Sequence, residues 1–196
     1  YIKTDGSLDD GMELVSHPCT MDYHINEFPW EDIMHRAIRQ GYRSHQTSTC
    51  GLHLHVNRNA FSDNQEEQDE VISRILYFVE HHWNELLKFS RRSEYTMNRW
   101  AARYGYEHTP KAIMDKAKKG GNGRYAAVNL CNYHTVEFRL FRGTLKYNTF
   151  IATIQLVNRI CDAAMYNTDD SIAKLSWSDF VADITEPDKA VMRLIQ

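Results

Sequence analysis

Apolar and polar positions alternate over residues 50–57, where Leu52, Leu54 and Val56 share one face and His53, His55 and Asn57 the other. A period of two is the pattern of a half-buried strand, and it sets both histidines on the polar face. A second alternating run, residues 135–141, carries Val136, Phe138 and Leu140 on its apolar side and Glu137 and Arg139 opposite them. With the β-branched and aromatic run at 125–129 it brackets turn residues Asn132, Tyr133 and His134, and the pair reads as an antiparallel hairpin. Near the start, residues 2–16 read as two short extended pieces separated by turn-forming Asp and Gly residues.

Elsewhere the apolar period lengthens to that of a helix. Pro29 suits a first helical turn, Ile33, Met34, Ala37 and Ile38 recur at helical spacing, and Gly41 can supply a left-handed C-terminal residue, so a helix is predicted over 29–40. Val71, Ile75, Phe78, Val79, His82, Leu86 and Leu87 form the longest stripe, with acidic residues in its first turn, and predict one core-packing helix over 65–89. Further helices are expected over 94–104, from the Thr109-Pro110 cap to Gly120-Gly121, over 148–165, and from a cap at Ser176 or Ser178. The Gly-rich segment 118–124 is too rich in glycine for regular structure and is expected to be a mobile loop.

A chain of 196 residues is long enough for a proper core and short enough for one domain, expected to span 1–196 with an α+β architecture. The net charge of −3 comes with scattered Lys and Arg residues and no basic run, which argues against nucleic acid as a partner. Cys19, Cys50, Cys131 and Cys161 are far apart and form no C-x-x-C pair, consistent with free thiols in a reducing cytoplasm. No stretch approaches the roughly 20 apolar residues that cross a bilayer, so no membrane association is expected.

The chemistry concentrates on the two polar strand faces. His53 and His55 project about 6–7 Å apart, close enough to serve one ion cluster, or for one to bind metal and the other phosphate. Glu137 beside Arg139 can hold a divalent cation together with the anionic oxygens that the cation also binds. Arg142, next to Gly143, adds a second positive group. Taken singly, each motif has an ordinary explanation: H-x-H is common on strand surfaces, E-x-R is usually an ion pair worth little, and Glu13 between Met12 and Leu14 is the solvent-facing residue of an alternating strand. His17, His24, His81, His82 and His134 read as structural or exposed. A cupin-like metal protein also uses H-x-H on a strand but wants a Glu soon after, where Asn57, Arg58, Asn59 and Ala60 stand.

The combination changes the picture. In order, D-G-S-L…G-M-E-L-V-S, C-G-L-H-L-H-V-N and R-Y-A-A-V-N-L…T-V-E-F-R-L-F-R-G-T-L cover residues 5–145, and this series resembles the amidoligase family, which groups with glutamine synthetase and glutamate-cysteine ligase. The resemblance implies a curved, largely antiparallel sheet with helices packed on one side, and a funnel for ATP and Mg²⁺. It implies an enzyme that joins the carboxylate and amine of small-molecule or peptide substrates through an acyl phosphate. Within it, Glu13 looks like a magnesium ligand, His53 like a ligand of a second metal ion, and His55 like a phosphate or metal contact. Glu137 looks like a further metal ligand, Arg139 like the arginine that stabilises charge on the transferring phosphoryl group, and Arg124 and Asn129 like contacts to nucleotide or acyl phosphate; the Gly-rich loop is then expected to close over the nucleotide, with Lys118 and Lys119 placed to meet phosphate. Family members usually open with a strand bearing G-x-E-x-E, and no such motif stands in this chain. The expectation is therefore either a preceding segment, favoured by the non-Met start, or a catalytically impaired domain that binds a nucleotide or a partner.

Overall fold

A computed structural model of the chain describes residues 1–182 except Asp5, Ser7, Asp9, Asp10 and Ser48. Its centre is β5 (Thr135–Arg142), which pairs antiparallel with β3 (Gly51–Asn57) on one edge and with the short β4 (Val128–Asn129) on the other. The alternation read from the sequence sets the two faces. Leu52, Leu54 and Val56 of β3 and Val136, Phe138 and Leu140 of β5 turn into the main core, while the histidines, Glu137 and Arg139 turn the other way, toward a cleft. The register slips between Leu52 and Leu54: Leu54 faces Phe138, but Leu52 faces Phe141. Arg139 and Leu140 thus stand where β3 supplies His53 alone, a β-bulge that bends the strand beside the polar groups.

Helices cover the apolar face. These are α2 (Gln65–His81), α3 (Trp83–Ser90), α4 (Glu94–Trp100), α5 (Pro110–Lys118) and α6 (Tyr147–Tyr166), and their buried side chains join the strands in one cluster. The fold is α+β, with its strands divided between this sheet and a separate ribbon of β1 (Ile2–Thr4) and β2 (Met12–Leu14). Of the turn residues expected between those two strands, Asp5, Asp9 and Asp10 lie outside the described residues. A second, smaller core docks α1 (Trp30–Arg39) onto α6, with the Trp30 and Phe150 rings 4.6 Å apart and Phe28 4.4 Å from Trp30. As predicted, Gly41 ends α1 in a left-handed conformation (φ 84°), and the Tyr42 and Gly41 amides close the last turn on the Ala37 and Ile38 carbonyls. No helix of the described residues is long and apolar enough to cross a membrane, and all four cysteines are free.

Three expectations need correction. The single helix over 65–89 is two, because His82 leaves helical geometry (φ −104°, ψ 30°). No Pro or Gly marks the break; its cause is tertiary, the His82 Nε2 donating to the Leu175 carbonyl at 3.0 Å while the ring packs on Phe78 and Trp177. The helix expected to reach residue 104 stops at Trp100, where the chain turns extended to bridge Ala102 to Ala126. Buried Glu80 then anchors the continuing chain, accepting from the Arg103 Nε and the Tyr104 amide, both at 2.8 Å. The Gly-rich segment, finally, does not bring its lysines to the cleft. Lys118 is the last residue of α5 and pairs with Asp69 of α2 at 2.6 Å, and neither Lys118 nor Lys119 lines the cleft. The loops end in α7 (Asp169–Lys174) and α8 (Trp177–Ala182), the latter capped by Ser176 as one of the two expected positions.

Candidate functional site

The polar face of the sheet forms the floor of a cleft of about 1360 Å³, walled by α1 and the β1–β2 ribbon. Antiparallel pairing sets His55 directly opposite Glu137 on one side and Asn129 opposite it on the other. Glu137 is therefore at the middle of the floor, 5% exposed, with polar or cationic side chains meeting its carboxylate. Its Oε1 accepts from the Arg139 Nη1 at 2.6 Å and lies 3.4 Å from the His53 Nδ1 and 3.7 Å from the His55 Nε2. Its Oε2 accepts from the Asn129 Nδ2 at 2.6 Å and from the Asn132 Nδ2 at 3.2 Å. Asn129 is itself oriented, because its Oδ1 is occupied by the Cys131 amide at 2.8 Å. The expected E-x-R pair is thus no surface ion pair but the hub of a buried network.

Electrostatics follow from this packing. Burial works to raise the Glu137 pKa, but the Asn129 amide and the Arg139 guanidinium outweigh it and hold the carboxyl below its usual range, so it is ionised at neutral pH. Burial also dominates at His53, and with the repulsion of Arg139 it overrides the attraction of Glu137 and lowers the pKa to about 4. At neutral pH His53 is an uncharged imidazole with a lone pair on one ring nitrogen, the state a metal or a proton acceptor site requires. His55 is more exposed and its Nδ1 meets the Thr135 hydroxyl at 3.0 Å.

The remaining expected residues divide. Arg124 lines the cleft and stacks over Tyr125, its guanidinium 5.0 Å from the ring and donating to the Tyr125 hydroxyl at 3.0 Å. Glu13 borders the same cleft from the ribbon, but its carboxylate is turned to Lys3 at 3.8 Å. Arg142 is not a cleft residue: beyond the bulge it pairs in register with Gly51 at the strand's end. His24 and His82 serve packing, His24 accepting from the Trp30 indole at 3.2 Å. Asn132, Trp100, Tyr125 and Arg92 also line the cleft, and none was singled out from sequence. Asn132 lay in a segment legible only as a turn.

The donor set bears on metal binding. Among the described residues, no group of three or more His, Cys, Asp or Glu side chains is arranged to hold a metal ion, and the carboxylates along the cleft are Glu13 and Glu137. Magnesium commonly takes one or two protein carboxylates and completes its shell with water and substrate phosphates. The residues present fit an ion carried in that way, and do not fit one caged by protein alone.

Acid should destabilise the whole fold through this site. The unfolded chain binds a proton at a histidine near pH 6.5, whereas folded His53 does so near pH 4. In that interval the unfolded state holds more protons, so this contribution is complete above pH 6.5 and is lost as pH falls toward 4. Glu137 works in the same direction, its contribution lost as pH falls through its lowered folded-state pKa. We expect the melting temperature to drop between pH 6.5 and 4, and to drop less in His53→Asn. Parallel curves for the two proteins would show that burial of the imidazole carries none of the dependence.

Comparison with known proteins gives one match. The sequence model of a family described as "putative amidoligase enzyme" matches residues 3–161, a span that includes every cleft residue named above. No curated protein and no solved structure matches the chain.

Proposed function

Because the chain belongs to this amidoligase family, with most of its length matched, we propose that the cleft joins a carboxylate to an amine at the expense of ATP, through an acyl phosphate. The observation that carries the reading is the floor itself: a buried, ionised Glu137 gripped by Arg139 and flanked by a neutral His53. A carboxylate does not condense with an amine at neutral pH. Its oxygen must first attack the γ-phosphoryl group of ATP, releasing ADP, so that the amine can displace phosphate from the mixed anhydride.

The chain's own residues suit these demands. Arg139 is fixed by Glu137 and offers a planar donor fork to phosphoryl oxygens; Arg124, beside Tyr125, and Asn129 are suited to nucleotide or acyl-phosphate oxygens. Glu137 and Glu13 would hold magnesium, with His53 and His55 as nearby nitrogen donors; such an ion offsets charge on the phosphoryl oxygens. The cleft's apolar wall, Trp30, Ile33 and Met34 of α1, excludes water from a mixed anhydride that water would otherwise hydrolyse.

A second reading, an impaired domain that binds nucleotide without turnover, draws on one observation, that both Glu137 oxygens already have protein partners. Thermal melting with and without Mg-ATP, followed by an ADP-release assay with glutamate or short peptides as carboxylate and primary amines as acceptor, separates the two. Stabilisation by Mg-ATP together with substrate-dependent ADP release is expected. Stabilisation without release would select the impaired domain, and neither would overturn both.

A further inference from the structure

Charge along the cleft does not balance around Glu137 alone. Arg92 also lines the cleft, and among the described residues the charged groups that act on its guanidinium are Arg139 and Arg142, both repulsive, with no carboxylate among them. Burial, then those two neighbours, brings its pKa down to about 10. A guanidinium held partly out of water beside two others is costly unless an anion meets it.

The chain invests local structure in putting it there. Helix α3 ends at Arg91 in the left-handed region (φ 59°, ψ 21°), a conformation uncommon for a residue other than glycine. The Arg92 amide then donates to the Ser90 hydroxyl at 3.1 Å, and Ser93 caps α4. Arg92 is thus clamped between two helix ends while its side chain runs across Gly51. A methyl group on Gly51 would lie 2.6 Å from the Arg92 Nη2 and 2.8 Å from the His53 Nε2, so guanidinium and imidazole meet over bare backbone. On the other side of that imidazole the Arg139 Nη1 is 3.5 Å from Nδ1. The Arg139 Nε is buried with no hydrogen-bond partner.

We propose that Arg92 is a second oxyanion-binding residue of the cleft, bracketing His53 with Arg139 and taking a carboxylate or phosphate group on the Gly51 side of the imidazole. The inference rests on reading the cleft as a ligase site, where both anions must be held at once. Arg139 shares its fork with Glu137, so Arg92 supplies a second donor fork, one that no carboxylate of the described residues claims.

Calorimetric titration with inorganic triphosphate and, separately, with succinate tests this on the wild type, Arg92→Ala, Arg92→Lys and Gly51→Ala, with melting temperatures for each. The wild type should bind at least one probe. Arg92→Ala should weaken that probe tenfold or more at a melting temperature within a few degrees of wild type, and Arg92→Lys should weaken it less. Gly51→Ala, which displaces the guanidinium head without removing it, should weaken the same probe and serves as the test if Arg92→Ala does not fold. Loss for triphosphate alone assigns a phosphate, and loss for succinate alone a carboxylate. Failure of the wild type to bind either probe, or unchanged affinity in both Arg92→Ala and Gly51→Ala, overturns the proposal. Arg92-dependent binding without ADP release keeps Arg92 and rejects the ligase reading; ADP release with unaltered kinetics in Arg92→Ala does the reverse.

Discussion

ATP turnover in Arg139→Lys is expected to fall on the order of a hundredfold, a loss of about 3 kcal/mol in transition-state stabilisation. Lysine keeps the charge but not the planar fork, and the fork is what Arg139 brings to this site: its Nη1 meets Glu137 at 2.6 Å and the His53 Nδ1 at 3.5 Å, in the plane of a guanidinium whose other nitrogens a lysine lacks. Charge on the phosphoryl oxygens is redistributed in the transition state, so an arginine that stabilises it acts on turnover more than on ground-state affinity. Affinity for ATP should therefore change far less than turnover. A normal turnover number with a lowered melting temperature would remove Arg139 from the mechanism and leave it a structural partner of Glu137.

Glu137→Gln should be the most destabilising change in the site, costing about 3 kcal/mol and abolishing turnover. Both side chains of the pair are largely buried, 7% exposed for Glu137 and 14% for Arg139, so water screens the interaction little. A glutamine in place of the carboxylate loses the charge that balances Arg139, and its amide group can no longer accept from Asn129 or Arg139 at the position where nitrogen replaces oxygen. The stranded guanidinium accounts for most of the penalty. For that reason the double variant Glu137→Gln with Arg139→Gln should be more stable than Glu137→Gln alone. Urea unfolding of the three proteins measures this directly; an unchanged midpoint for Glu137→Gln would mean that the network contributes nothing to stability.

How much of this was legible from sequence depended on the range of the interactions. The strand faces were, because an alternating pattern dictates which side chains share a surface: His53 and His55 on β3 and Glu137 and Arg139 on β5 do lie on the polar side. So were the limits of α1, since Pro29 and Gly41 act within a single turn. The break at His82 was not, because its cause, the Leu175 carbonyl, is 93 residues away in the chain. Arg92 escaped for a related reason. In sequence it is one of two cations at the end of a helix, an ordinary complement to the helix dipole, and only the fold carries it across Gly51. Lys118 is the opposite case: a lysine beside glycines suggested phosphate, whereas the fold makes it the last residue of α5 and pairs it with Asp69 on the neighbouring helix.

Glu137 and Arg139 also share a strand with Phe138, Leu140 and Phe141, which are almost fully buried, and that strand is paired along β3 on one edge and, at residues 137–139, with residues 127–129 on the other. Amides in such a position exchange with solvent only when the sheet itself comes apart, at nearly the full free energy of unfolding. The reactive groups therefore have no separate local melting of their own. Heat inactivation should coincide with global unfolding rather than precede it, and a conservative change on the hidden side of this strand is, in effect, a change to the floor of the cleft.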